Sequence, residues 1–225
     1  MEILIVFVFA FFAYLVGSVP NAIWVGRKYF GIDVREHGSG NAGATNVFRV
    51  LGKGPGTVVL LLDILKGFFA VCLVDLMSYV WPRVQGLDVA TWQGFHELDY
   101  RMFAVIFGVM SVIGHLLPVF AGFKGGKGVA TLFGMIIALN PAVAGLGLLV
   151  FVVVNVITGY VSLGSLFAGL SIPVFFIEVF GYRDGSIVIF SCAVALLVVF
   201  THRKNIKRLL AGEETKSRIL VKKQK

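Results

Sequence analysis

The run GTVVLLLDILKGFFAVCLVDLMSYV, residues 56–80, decides the fold. It is apolar for long enough to form the roughly 20-residue helix that crosses a bilayer. Comparable runs lie at 3–25, 102–120, 127–139, 141–157, 162–180 and 186–201. Of the 225 residues 58% are hydrophobic and 14% charged, and the mean hydropathy is +0.91. A soluble domain carries about a quarter of its residues as charges. The expectation is an all-α polytopic membrane protein with about seven transmembrane helices, forming one domain over 1–225 with a flexible cytoplasmic tail at 211–225. Between the fourth and fifth runs stands Asn140-Pro141, where proline removes a donor and pushes the residue before it out of helical backbone. A tight helical hairpin fits there, and so does one broken or re-entrant element.

Met1-Glu2 leads directly into apolar residues, without the positive leader and small-residue cleavage site of a signal peptide, so the first run reads as a span. Charge then sets the orientation. Arg27, Lys28, Arg35, Arg49, Lys53, Lys124, Lys127 and the tail from Arg203 fall on one side of the seven-span arrangement. Arg83, Arg101 and Arg183 fall on the other. The positive-inside rule puts the N-terminus outside and the C-terminus in the cytoplasm. These flanks also account for most of the net charge of +8, which argues against nucleic acid as a partner. Cys72 and Cys192 lie inside apolar runs with no Cys/His pairing nearby, and read as inert core thiols rather than metal ligands.

One polar interruption, His37 to Arg49, is made of glycines, small hydroxyls and amides closed by an arginine. Irregular backbone tolerates membrane depth only where protein buries it or it lines a watery cavity. Gly38, Gly40 and Gly43 match G-x-G-x-x-G literally, and Asp63 follows twenty residues on. The dinucleotide motif, however, needs a preceding strand and a βαβ unit, and Asp63 sits in an apolar helix. What remains is an anion site: glycines admit close backbone approach, a helix start offers free N–H groups, and Arg49 supplies a planar fork. A plain connecting loop is the alternative.

The second interruption, Gly114 to Thr131, carries Lys124-Gly125-Gly126-Lys127-Gly128. It is not a P-loop, because Ala121 and Gly128 stand where glycine and a hydroxyl are required. Lysines among glycines at a helix start still offer positive charge beside the positive end of the dipole. Topology anchoring explains lysines equally but needs no glycine. His115, three residues before Pro118, suits a satisfied core histidine as well as a chemical role. Further on, Ser162, Gly164 and Ser165 fit either a pocket wall or tight helix packing. At the end, His202 and Asn205 are three apart and share a face if the last helix continues. Around them Ile206, Leu209 and Leu210 form an apolar stripe, and the basic residues reach lipid phosphates. Asp63 and Lys66, also three apart, pair with each other and can floor a cavity.

Neither an H-x-x-x-x-D pair nor a G-x-S-x-G elbow is present. Yet GSGNAGATNVFR (38–49), GHLLPVFAGFKGGKGVAT (114–131), YVSLGS (160–165) and HRKNIKRL (202–209), in that order, resemble the bacterial acyl-phosphate:glycerol-3-phosphate acyltransferase family. That resemblance covers nearly the whole chain. It implies an enzyme of the cytoplasmic (inner) membrane, with its active site facing the cytoplasm, that acylates the 1-hydroxyl of glycerol 3-phosphate from a long-chain acyl phosphate. The products are lysophosphatidate and inorganic phosphate. Carried over by position, Ser39, Arg49 and Lys127 hold phosphate groups, Ser39 also being counted as catalytic, while His202 and Asn205 shape the reacting centre. Gly38, Gly40, Asn41, Gly43, Thr45, Asn46, Gly125, Gly126, Gly128, Ser162 and Ser165 line the substrates, and Lys124 has a weaker claim. No cofactor or metal is expected. Membrane lipids and the soluble enzyme that makes acyl phosphate are the remaining candidate partners. The chain departs from compact members at Gly159, where an arginine often occurs, and in a long outer loop over 81–101. A transporter or channel for a phosphorylated metabolite is the rival class; it predicts motifs on both faces or an internal repeat, and the sequence displays neither. A lipid-binding scaffold explains the tail but not residues 39–49.

Overall fold

The computed structural model describes residues 2–86, 94 and 96–216, apart from the side chains of Glu2, Glu97 and Leu98. All regular structure among the described residues is helical: α1 Glu2–Ser18, α2 Asn21–Phe30, α3 Ala44–Val50, α4 Lys53–Gln85, α5 Glu97–Leu116, α6 Val129–Leu139, α7 Pro141–Thr158, α8 Val161–Val174, α9 Gly185–Thr201 and α10 Arg203–Leu210. Short turns at Val34–Glu36 and Val119–Ala121 and a π-helical turn at Phe175–Val179 complete the order. Two compact units result, residues 1–139 and 140–225.

Local sequence explains the boundaries. Pro20 ends α1 because it has no N–H to continue the ladder, and the chain restarts as α2, which stops at left-handed Gly31. Asn140 caps α7, its Oδ1 accepting from the N–H groups of Ala142 (3.0 Å) and Val143 (3.1 Å), with Pro141 in the first turn. Asp184 caps α9 in the same way through Ile187 N–H at 3.1 Å. Pro173 interrupts the ladder late in α8, and the helix loosens there into the π turn.

Five helical stretches are long and apolar enough to cross a membrane: Ile3–Phe30, Lys53–Gln85, Asp99–Ala121, Pro141–Thr158 and Val161–Val179. The bent pair α9–α10 makes a sixth when its two helices are counted as one span. The run at 127–139 yields only the 11-residue α6, about 16 Å at 1.5 Å per residue against a hydrocarbon core of about 30 Å. Large apolar side chains point outward, among them Ile3, Phe7, Phe69, Ile157 and Leu196. This is the surface of helices solvated by lipid. Cys192 belongs to that outer surface, not to the core as its sequence context suggested, and Cys72 is half-buried.

In the first unit α4 packs on α6, and α1 on α5, through small residues. A Cβ at Gly67 would strike the Thr131 carbonyl, and one at Gly114 the Tyr14 carbonyl, so these backbones approach closely. Ser111 Oγ adds a hydrogen bond from α5 to the Lys66 carbonyl of α4 at 3.3 Å. In the second unit α8 lies between α7 and α9.

Candidate active site

The first glycine-rich segment is shaped by one amide. Asn46, on α3 and fully buried, donates from Nδ2 to the carbonyls of Val34 (2.7 Å) and His37 (3.1 Å). Its Oδ1 accepts from Ser39 N–H (2.8 Å) and Ser39 Oγ (3.1 Å). Both amide hydrogens and both carbonyl lone pairs are thereby used inside the protein. Asn46 holds the loop, and Ser39 is oriented by it. Gly38 is left-handed at φ +61°, and a side chain there would collide with Asn46 Oδ1, which fixes glycine at that position. Arg49, one turn beyond Asn46 and exposed, brings its Cδ back to 3.5 Å from where a Gly38 Cβ would stand. Thr45 and Gly40 are also exposed, Asn41 and Gly43 half-buried.

A carboxylate braces the base of this loop. Asp33 accepts from Arg35 (Nη2 to Oδ2, 2.7 Å) and from Arg27 Nη2 (2.9 Å). The hydrogen bond from Arg35 holds its carboxyl well below the usual carboxylate range. Arg35 reaches on with Nη1 to the Ala121 carbonyl at 3.1 Å, tying the first segment to the second.

The second segment folds back over the end of α5. Gly125 N–H donates to the Leu116 carbonyl and Gly126 N–H to that of His115, each at 3.2 Å. A Cβ at Gly126 would meet His115 Nε2 and lie 3.1 Å from the Ala42 carbonyl, so the two segments touch here. Lys124 is exposed; Lys127 is half-buried and engaged with a neighbour. Within the first unit, then, the loop that carries Ser39 and leads into α3 with Arg49 meets the Lys124–Gly128 turn at Ala42 and Gly126.

The second unit gathers the later residues. α9 does not continue straight: it bends by 58° into α10 at His202, so His202 and Asn205 do not share a face of one continuous helix as the sequence suggested. Both nevertheless turn inward, at 2% and 5% exposure. His202 Nδ1 lies 2.9 Å from the Val198 carbonyl. A carbonyl only accepts, so Nδ1 carries a proton in this contact. The sequence reading missed Glu214. Its Oε1 accepts from Asn205 Nδ2 (2.6 Å) and Ser162 Oγ (2.8 Å), and its Oε2 from Arg208 Nε (2.8 Å). Burial works to raise its carboxyl pKa, and these three donors outweigh it and lower the value. The tail expected to begin at 211 is thus held at Glu214, and Lys216 stacks over Tyr160; 217–225 lies outside the described residues. Ser165 Oγ returns to its own helix at the Val161 carbonyl, 3.0 Å away.

Among the described residues no three His, Cys, Asp or Glu side chains are grouped to hold a metal. The arrangement offers a guanidinium and lysine ammonium groups beside glycine backbone in one unit, and in the other a buried histidine and asparagine. Such groups position and stabilise anions.

Comparison with known proteins agrees with this chemistry. The sequence model of the family described as glycerol-3-phosphate acyltransferase matches residues 7–212. A glycerol-3-phosphate acyltransferase of Salinibacter ruber is 40% identical over 207 residues, covering 90% of this chain and 88% of that one. The crystal structure of PlsY (YgiH), an integral membrane glycerol 3-phosphate acyltransferase, in its glycerol 3-phosphate form superposes with a TM-score of 0.76 at 38% identity, covering 94% of both chains. Its lysophosphatidic acid form gives 0.73 at the same identity and coverage. The chain belongs to the glycerol-3-phosphate acyltransferase family, and is a membrane-integral acyltransferase.

Proposed function

We propose that this enzyme transfers a fatty acyl group from acyl phosphate to the 1-hydroxyl of glycerol 3-phosphate, yielding lysophosphatidate and inorganic phosphate. The reading is carried by the meeting of two glycine-rich loops at Ala42 and Gly126, with Ser39 and Arg49 on one and Lys127 on the other. Two anionic substrates repel each other, and a guanidinium and an ammonium offset that repulsion.

Acyl phosphate is a mixed anhydride with a good leaving group, so the chemical demand is positioning more than activation. The substrate oxygen attacks the acyl carbonyl carbon directly, and no acyl-enzyme forms. The bond from that carbon to the phosphate oxygen breaks, and the electron pair leaves with phosphate. A substrate phosphate oxygen takes the hydroxyl proton, with His202 and Asn205 orienting the reacting centre. Seven crossings, α6 counted as the short one, with the N-terminus outside, put all the site segments at the cytoplasmic face of the inner membrane. There a water-soluble phosphate ester meets a lipid-borne donor, which the enzyme making acyl phosphate must supply.

The test is the purified protein in detergent, given acyl phosphate or acyl-CoA with glycerol 3-phosphate. Lysophosphatidate and phosphate appearing together from acyl phosphate, with no sealed membrane present, is the expected result. Product from acyl-CoA alone overturns the donor assignment, and no product from either donor overturns the reaction.

A further inference from the structure

Below the two loops the first unit buries four polar side chains that are not among the proposed substrate-binding residues. Lys66 Nζ lies 2.9 Å from Asp63 Oδ1, their side chains 6% and 2% exposed. The same Oδ1 accepts from Asn21 Nδ2 at 3.0 Å, and Lys66 donates again to the Val19 carbonyl at 3.1 Å. His115 Nδ1 is 3.7 Å from Asp63 Oδ1, and the opposite edge of its ring, Nε2, faces Gly126. These groups border a cavity of about 10 Å³, whose other walls include Ala42, Gly125 and Gly126. The polar cluster therefore sits directly beneath the point where the loops meet.

A buried ion pair is a poor way to gain stability, since apolar side chains of equal size often serve as well or better. Inside a membrane span its desolvation is dearer still. Such a pair needs a reason other than packing, and here the reason is geometric. Asp63 is fixed by two donors, Lys66 and Asn21, and in turn faces one edge of His115, while the other edge supports Gly126. No side chain fits between that ring and the Gly126 backbone.

We propose that Asp63, Lys66 and His115 are positioning residues for glycerol 3-phosphate: the ion pair fixes the His115 ring, and the ring sets the height of Gly126 against Ala42. The register between the loop carrying Ser39 and Arg49 and the turn carrying Lys127 follows from that height. This rests on the reading that those loops hold the substrate phosphate. Single removal of Asp63 or Lys66 strands a buried charge, so the informative change is the neutral double variant Asp63→Asn with Lys66→Gln. Beside it, His115→Gln keeps a hydrogen-bonding edge and His115→Leu does not.

Steady-state kinetics with each substrate varied, alongside thermal unfolding in detergent, give the readout. The double variant and His115→Leu are expected to raise KM for glycerol 3-phosphate about tenfold or more, with kcat and the KM for acyl phosphate within about twofold, and His115→Gln to recover most of the loss. If the folded double variant binds glycerol 3-phosphate with unchanged KM, or kcat falls while KM stays, the proposal is overturned. Should the double variant fail to fold, the His115 pair decides alone: equal KM in Gln, Leu and unaltered enzyme overturns it. Arg49→Lys, run in parallel, separates the two levels, because an unchanged KM there refutes the loop assignment itself.

Discussion

Asp33 and Glu214 are both carboxylates held by arginine, and they brace different things. Asp33 takes its donors from Arg27 and Arg35, neither of which is a candidate for touching substrate. It stiffens the base of a loop that runs through Ser39 into α3 and Arg49, the residues proposed to hold phosphate. Glu214 takes its donors from Ser162 and Asn205 themselves. One region is organised behind its functional side chains, the other through them. Loss of the first brace should be absorbed by the scaffold, whereas loss of the second should reach the chemistry.

The largest effect expected falls on the loop's own cation. Arg49→Lys keeps the charge and loses the fork, and kcat/KM for glycerol 3-phosphate should drop about 100-fold, seen in initial-rate assays with that substrate varied. Unchanged kinetics would remove the phosphate role from this loop. Lys127→Ala should cost about 30-fold, while exposed Lys124→Ala stays within about threefold. The reverse order would exchange the two lysines.

Next comes the comparison itself. Glu214→Gln presents one acceptor oxygen in place of two and turns an N–H toward donors. Turnover should fall about tenfold, and Asp33→Asn, acting at a distance, about threefold or less. Measured side by side with unfolding temperatures, equal kinetic losses would erase the distinction between the two braces.

Acid should affect both. Each carboxyl has a folded-state pKa below its unfolded value, so each contributes stability that is fully present above the ordinary carboxylate range and is lost as pH falls through that range toward the lowered value. The unfolding temperature in detergent should therefore hold steady from neutral pH down to about 5 and decline below about 4. In the Asp33→Asn, Glu214→Gln double variant the decline should be shallower.

What the sequence made legible follows the same division. The apolar runs announced spans because backbone in lipid must satisfy itself helix by helix, a local rule. The irregular backbone at Gly38 and Ser39 was legible because glycines set so close together break a helix, and the short α3 that carries Arg49 follows it. Asn46 reads in the sequence as a substrate-lining residue and not as a clasp, since its partners Val34 and His37 are visible only once the chain turns. The 58° bend at His202 has no proline or glycine to signal it. Glu214 was invisible for a plainer reason: it looks like one more charge in a solvated tail, and only the return of the chain to Ser162, 52 residues earlier, gives it a role. The run at 127–139 was already the shortest in the sequence, and α6 loses two more residues because Gly128 takes left-handed backbone at φ +81° just before it.

A modest effect is expected from His202→Gln, and it is the one that tells the two regions' roles apart. If a substrate phosphate oxygen accepts the proton, the ring is needed for its shape and hydrogen bonds. Gln can place an amide near both ring nitrogens' positions, and the Val198 carbonyl that Nδ1 approaches at 2.9 Å would keep a donor. His202→Gln should then retain turnover within about fivefold, with a pH–rate profile that matches that of the unaltered enzyme. His202→Ala, which leaves that donor missing and a hole in a buried site, should do worse than Gln by about tenfold. A loss of several orders of magnitude in the Gln variant, together with a vanished inflection, would make His202 the general base. The second region would then carry the proton chemistry and not only the alignment.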